Sequence, residues 1–558
     1  MRGVLTGAAV AVALAAFLVA VLRGFLPFFV DAPFGWTVGI ALPAAAVGGW
    51  LGRGGGRGSV VALATACVAW LVVVAWPTPR IAPKLVMLGV DGSTFDVIDP
   101  MVEAGELPAF GRLARQAVRM ELTAREPLTS PVLWTTIASG RPPVEHGVFS
   151  FRTRSTDCRV PRFWDVAAAS GLRVGLFKWL VTWPPPDVDG FVVPGWLAED
   201  ATTRPASLGW SKEIELSRRH RRRKVEGRSL LAIAVDGVRD GLTSSTMARI
   251  GWWQLTSLLR PPSDEVRFVR EQRLRTRLDY DAFVAAVHGH RPDLATLTLY
   301  ATDAVAHRAW YDDDAPDPEL GSAVADTYRD ADDVLGDLLR RLPASTTLVV
   351  LSDHGSGMVS SGGTRYFRLR TDTVEELLAE RVGPADVARV GAKLTVVPRD
   401  PARRDAMVGV LEGLVDSRGV PFLRTEPVHD LPHGIGVTAQ WLHMTEAGMA
   451  EHTVDGRPMS DFVVLEAHYR GEHTERGILY IRTPGVESGG RPAAQQVDVA
   501  PTLYALLGIA PPPGLPGRVL VGEPLPPEPY EWVTPTGSAS PTRSAEVQEA
   551  LRALGYVD

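Results

Sequence analysis

From Lys84 onward the chain alternates short, unbroken apolar runs with stretches of helical periodicity. The runs are Leu85–Val90, Val174–Phe177, Leu294–Tyr300, Thr346–Leu351, Phe462–Leu465 and Ile478–Ile481. A strand that is apolar at every position is buried on both faces, as in a parallel sheet covered by helices on each side. Helix candidates fill the intervals, among them Pro108–Val118, Tyr280–Val287 and Leu320–Leu342. The pattern predicts an α/β fold built on a doubly wound, mostly parallel sheet with helices on both faces. In such sheets chemistry gathers beyond the carboxyl ends of the strands.

Two stretches interrupt the alternation. Residues 205–275 carry the basic run Arg218-Arg-His-Arg-Arg-Arg-Lys224 and the pair Trp252-Trp253, and read as a mostly helical insertion. Residues 370–445 read as a second insertion of mixed pattern. The expected α/β unit therefore spans residues 84–522, followed by a Pro/Ser/Thr-rich tail, 523–558, with a terminal helix at Ala545–Leu554. The basic run is a solvated helical face, or else lies near a membrane surface or the substrate entry.

The first 80 residues are of a different kind. Val4–Leu22 and Val60–Trp76 are almost wholly apolar, and a weaker uncharged run lies between Asp31 and Arg53. Each approaches the roughly 20 residues that cross a bilayer. Trp36, Trp50, Trp70 and Trp76 fall mostly near the run ends, where interface aromatics sit. Residues 1–80 are therefore expected to form a membrane anchor of two to three transmembrane helices. With three spans the α/β unit is placed on the extracytoplasmic side of the cell membrane. A lipid bilayer is thus an expected partner. The anchor region holds five arginines and one acid, so the rest of the 558-residue chain has 53 basic and 63 acidic residues, net −10. That balance argues against binding a nucleic-acid polymer. Two cysteines, Cys67 and Cys158, exclude a disulfide framework and a cysteine-based zinc site.

Polar residues follow the apolar runs at regular places. Leu85–Val90 leads into Asp91-Gly92, and Leu294–Tyr300 into Asp303 with His307 four residues on. Thr346–Leu351 leads into Asp353-His354, and His473 stands just before the last apolar run. Singly, an Asp in such a place is more often a cap or turn residue. Together, three acids and three histidines suit divalent ions such as zinc. In Pro127-Leu-Thr-Ser-Pro131 the proline suits the first turn of a helix, so Thr129 or Ser130 would stand at its N-terminus. That position is a plain cap, or else a hydroxyl held where free N–H groups would receive a phosphate.

In these motifs the chain resembles the type I phosphodiesterase/nucleotide pyrophosphatase family of the alkaline phosphatase superfamily. The resemblance rests on Gly89-Val-Asp-Gly92, Thr129-Ser-Pro131, Ser139-Gly-Arg141, His146-Gly147 and Thr302-Asp-Ala-Val-Ala-His307. It continues in Ser352-Asp-His-Gly355, in Glu472-His473 with Gly477, and in Val497-Asp-Val-Ala-Pro-Thr502. It implies an alkaline-phosphatase-like fold and a hydrolase of phosphoric esters that uses two divalent metal ions, zinc being expected. Asp91, Asp353, His354 and the Thr129 hydroxyl would hold one ion, and Asp303, His307 and His473 the other. Thr129 would be the nucleophile, since it stands two residues before the proline, with Ser130 at the neighbouring position. Nucleotide pyrophosphatases of the family carry an asparagine shortly after His-Gly. Here Val148-Phe149-Ser150-Phe151 follows, and Ser150 is the candidate donor to the substrate phosphate. The alternatives are a phosphotransferase or sulfatase-like member of the superfamily, or a catalytically inactive membrane binding protein.

Overall fold

The computed structural model of the chain describes residues 81–532, except 152, 220–223, 226–227, 312–314, 360–365, 391–392, 429–430, 441–450 and 467–469. The expected membrane anchor, the core of the basic run and the terminal helix lie outside the described residues. Among the described residues no helix is long and apolar enough to cross a membrane.

The elements that position the site are nine strands and five helices. The strands are β1 (Leu85–Val90), β2 (Val118–Thr123), β3 (Val174–Phe177), β4 (Gly190–Val193), β5 (Leu294–Leu299), β6 (Thr347–Leu351), β7 (Gly355–Met358), β8 (Gly471–Thr474) and β9 (Arg476–Arg482). The helices are α1 (Ser130–Ser139), α2 (Asp264–His290), α3 (Ala301–Ala309), α4 (Ala323–Arg341) and α5 (Val499–Leu507). The central sheet runs β2-β9-β6-β1-β5-β3-β4, with the short pieces Gly489–Gly490 and Ala494–Gln495 beside β2. Strand β1 pairs in parallel with β5 and β6, and β3 in parallel with β5 and β4. Strand β9 alone runs antiparallel, between β6 and β2. The fold is a mixed α/β one with a mostly parallel central sheet.

Alternation along the strands explains why the apolar runs are unbroken. Val86, Leu88 and Val90 point into one core with Phe283 and Val287 of α2 and Leu335 and Leu338 of α4. Leu85 and Met87 point into the other, with Trp134 and Ile137 of α1 and Leu503 and Tyr504 of α5. Each face is buried, so each position must be apolar.

Three sequence expectations are corrected. The helix predicted at Pro108–Val118 ends at Ala114, and Val118 opens β2, whose alternating burial marks it as a strand near the sheet edge. The strand predicted at Phe462–Leu465 is Val463–Glu466 and pairs with Tyr366–Leu369 outside the central sheet. The helix predicted to begin at Leu320 is α4, which starts at Ala323 after a separate turn at Pro318–Gly321.

Between β4 and α2 the chain is mostly helical, through Gly209–Arg219, Leu230–Arg239 and Ser244–Leu259. Residues 385–439 form a separate four-stranded antiparallel sheet with its own apolar cluster, including Leu394, Val396, Met407 and Leu411. Its strand Lys393–Pro398 meets the segments that flank α1: Lys393 Nζ lies 3.3 Å from Glu126, and Val397 packs with Phe149.

At the end of β1 the turn needs glycine. Gly92 has φ of +67°, and a Cβ there would lie 2.7 Å from Ser356 Oγ and 3.0 Å from the Asp303 Cβ. A left-handed residue with a side chain costs roughly 1–2 kcal/mol before any clash. We predict that Gly92→Ala lowers the unfolding free energy by at least about that amount, as read by thermal or denaturant unfolding; wild-type stability would contradict the assignment.

Candidate metal centre

The parallel register brings the chemistry to one edge. Val90 of β1 lies opposite Leu299 of β5, and Gly89 opposite Leu351 of β6. Asp91, Asp303 and Asp353 therefore emerge together just past three adjacent strands. Because β9 is antiparallel, its entry lies at this same edge, and β8 delivers His473 there. The β7–β8 ladder sets His473 opposite Ser356, two residues from His354. Helix α3 places Asp303 and His307 four residues apart on one face.

The six side chains meet. Asp303 Oδ1 lies 3.2 Å from His307 Nε2, 3.3 Å from His473 Nε2 and 3.9 Å from His354 Nε2. His354 Nε2 lies 3.5 Å from Asp91 Oδ1 and 3.6 Å from Asp353 Oδ2. Asp91, Asp353 and His354 form one group with metal-ligand spacing, and Asp303, His354 and His473 another, so His354 stands between the two. All six are almost fully buried, none exposing more than 5% of its side chain.

Hydrogen bonds set the histidine tautomers. Each Nδ1 faces a backbone carbonyl: His307 on Gly471 at 2.8 Å, His354 on Gly355 at 2.8 Å and His473 on Leu128 at 2.6 Å. A carbonyl only accepts, so each Nδ1 carries a proton and each neutral ring turns a bare Nε2 inward. His307 Nε2 and His473 Nε2 are 2.8 Å apart. Two lone pairs at that distance need a positive charge, a proton or a metal ion.

The acids tell the same story. Asp91 Oδ1 and Asp353 Oδ2 are buried with no hydrogen-bond partner among the described residues. Burial, then the neighbouring carboxylates, push Asp91 well above the usual carboxylate range, and burial and Asp303 do the same to Asp353. Burial also acts to raise Asp303, but His307 and His473 outweigh it and hold it well below that range. Burial, and then the neighbouring His473, lower His354 to about 3, so it stays neutral and able to ligate. Orphaned carboxylate oxygens facing inward nitrogens are the donor set of a divalent-metal site, and the residues present fit such ions.

The hydroxyls stand at the start of α1. Thr129 is its N-cap, 1% exposed, and its side chain makes no capping bond; Thr129 Oγ1 donates to Pro127 O at 3.4 Å. Ser130 Oγ lies 3.5 Å from His354 Nε2. The bond from His473 to Leu128 O ties this helix start to the cluster. Ser150 is buried, 8% exposed, in the loop after Gly147. His146 serves the fold: its Nδ1 accepts from Val148 N, and its Nε2 lies 3.1 Å from Thr136 Oγ1.

Three supporting residues were missed in the sequence. The Trp134 indole N–H donates to Asp91 Oδ2 at 3.1 Å, Thr302 Oγ1 donates to Asp91 O at 2.5 Å, and the Gln496 amide donates to Asp353 O. Thr302 lies within a quoted motif, and Gln496 directly precedes one. Trp134 gave no polar signal, because a tryptophan in an apolar helix reads as core.

The model of the type I phosphodiesterase/nucleotide pyrophosphatase family matches residues 85–409, more than half of the chain. The chain belongs to that family, and by that membership is a metal-dependent hydrolase of phosphoric esters. None of the curated proteins compared with it matches. Similar solved structures include human ectonucleotide pyrophosphatase/phosphodiesterase 5, at 14% identity over 79% of this chain and 97% of that one, TM-score 0.41. The murine counterpart has 14% identity over the same shares and a TM-score of 0.40. Phosphonoacetate hydrolase from Sinorhizobium meliloti has 16% identity over 78% of this chain and 96% of that one, TM-score 0.40.

The pKa directions fix a sign. A carboxyl raised by folding keeps a proton that the unfolded chain gives up. The metal-free fold therefore loses stability as pH rises above the ordinary carboxylate value of 3.8 toward the raised values of Asp91 and Asp353. Asp303, held low, acts oppositely: its stabilisation is lost as pH falls. Metal binding must then expel protons from Asp91 and Asp353. We predict that zinc titration near pH 6 releases on the order of one proton or more per chain, seen as a binding heat that changes with buffer ionisation enthalpy. A buffer-independent heat would contradict this.

Proposed function

We propose that the chain is a membrane-anchored, two-metal phosphoric ester hydrolase with Thr129 as its nucleophile. The observation that supports it most is the convergence of three buried carboxylates and three inward histidine nitrogens on the start of α1, whose N-cap is Thr129. Asp91, Asp353, His354 and Thr129 would hold one ion and Asp303, His307 and His473 the other. Bound there, two divalent ions, with zinc the expected identity, would acidify a ligating hydroxyl and neutralise charge on phosphoryl oxygens.

The chain's own part is positional. The start of α1, whose dipole favours negative charge, would face the phosphate. Thr129 Oγ1, unused in capping, attacks phosphorus in line as the alcohol leaves on the opposite side. Water then hydrolyses the phosphothreonine and restores the hydroxyl. Ser150 is the proposed donor to a non-bridging phosphoryl oxygen.

Membrane anchoring through residues 1–80, with the catalytic unit outside the cytoplasm, belongs to the same proposal; it rests on the apolar runs and arginine placement. The proposed organisation keeps the catalytic unit at 84–522, with insertions at about 205–275 and 370–445. Protease added to intact cells should remove the C-terminal tail. Protection of Asp558 until the membrane is permeabilised would place the unit in the cytoplasm.

A second reading exchanges the hydroxyls, since Ser130 Oγ is the one set 3.5 Å from His354 Nε2. Substitution separates the two. Thr129→Ala should lower turnover of an aryl phosphate ester by several orders of magnitude, as expected for a group acting within a catalytic unit, with zinc binding retained. Ser130→Ala should retain most of the rate. Inactivation by Ser130→Ala alone would move the nucleophile by one residue.

A further inference from the structure

Asp91 has two carboxylate oxygens in different surroundings. Oδ2 accepts the Trp134 indole N–H at 3.1 Å. Oδ1 faces His354 Nε2 at 3.5 Å and has no hydrogen-bond partner among the described residues. Trp134 is fully buried on α1, five residues after Thr129, and packs edge-on against Trp179 with ring centroids 4.8 Å apart. Trp179 in turn meets Phe163 at 5.3 Å and Trp164 at 5.8 Å. The indole is thus clamped on one side by aromatic rings. Gly89 also lies against the indole, and a Cβ there would come within 2.5 Å of Trp134 Cη2. A bare strand position and a wall of rings leave the indole one seat, with its N–H aimed at Asp91.

We infer that Trp134 is a positioning residue for the hydrolase: its N–H occupies Asp91 Oδ2, leaves Oδ1 for the metal ion, and couples the helix that carries Thr129 to that ligand. The inference rests on the two-ion reading of the site. A hydrogen-bonded carboxylate is held in one orientation, whereas a free one rotates and must be ordered when the ion arrives. Because Trp134 and Thr129 share one helix, the bond also fixes the helix start relative to β1.

The test uses the full chain in detergent with zinc as the probe. Trp134→Phe keeps a ring against Trp179 and removes the donor. The expected result is a 10–100-fold loss of zinc affinity at one of the two sites, in the range seen when the partner of a metal ligand is removed. The other site should be unchanged, and the zinc-free variant should melt with the zinc-free wild type. Adding Trp134→Phe to Asp91→Asn should cost nothing beyond Asp91→Asn alone, since the two act through one oxygen. Gly89→Ala, which pushes on the indole from the strand side, should reproduce the affinity loss. Unchanged zinc affinity in Trp134→Phe overturns the inference, as do losses that add to those of Asp91→Asn. Weakening of both sites together with a lower zinc-free melting temperature assigns Trp134 to packing alone and overturns it as well. A wild-type chain that binds no zinc overturns the two-ion reading itself, an outcome distinct from a wild type that binds zinc as tightly as Trp134→Phe.

Discussion

Like charges gathered in a buried volume organise this molecule. Asp91, Asp303 and Asp353 bring three carboxylates into a space where each ion taken out of water costs several kcal/mol. His307, His354 and His473 add three nitrogens whose lone pairs point the same way, because their other nitrogens are held by backbone carbonyls. Nothing in that set is favourable by itself. In the metal-free site the repulsion is relieved by protons, which is why Asp91 and Asp353 are pushed up and Asp303 leans on the two histidines. A cation relieves it with better geometry, since it satisfies oxygens and nitrogens together.

The rest of the fold pays for that convergence. Helices on both faces bury the sheet, and the parallel register places the ends of β1, β5 and β6 side by side. Strand β9, antiparallel within the central sheet, enters at that same edge, where β8 just before it carries His473. Small residues allow the close approach: Gly92 turns the chain beneath Asp303, and Gly471 passes against the backbone of α3, where a Cβ would lie 2.5 Å from Ala306 O. Ser352 ties the edge together, donating to Ser93 O at 2.8 Å and accepting from Ile478 N at 2.9 Å.

Much of this was legible in the sequence, for physical reasons. Strands buried on both faces must be apolar throughout, so β1, β3, β5 and β6 stood out. The six side chains that converge at the sheet edge could be picked out because each follows or precedes such a run. Edge elements were harder. β2 alternates in burial and was merged into the end of a helix, and β4 is short and opens on a glycine. The pairing of Val463–Glu466 with Tyr366–Leu369 depends on a partner nearly a hundred residues away, which local pattern does not encode. In the site, the sequence offered two adjacent hydroxyls without their directions; the structure turns Ser130 toward His354 and Thr129 toward Pro127 O. Trp134 was invisible as a polar partner because its role lies in one N–H of a large apolar ring.

The central claim is that the convergent acids and histidines exist to hold divalent ions. Its most direct test is the metal content of the purified full-length chain, measured by elemental analysis before and after exhaustive chelation. Two divalent ions per chain are expected, lost together with ester hydrolysis on chelation and regained with added zinc. A chain that carries no metal and hydrolyses esters undiminished in the presence of chelator would contradict it.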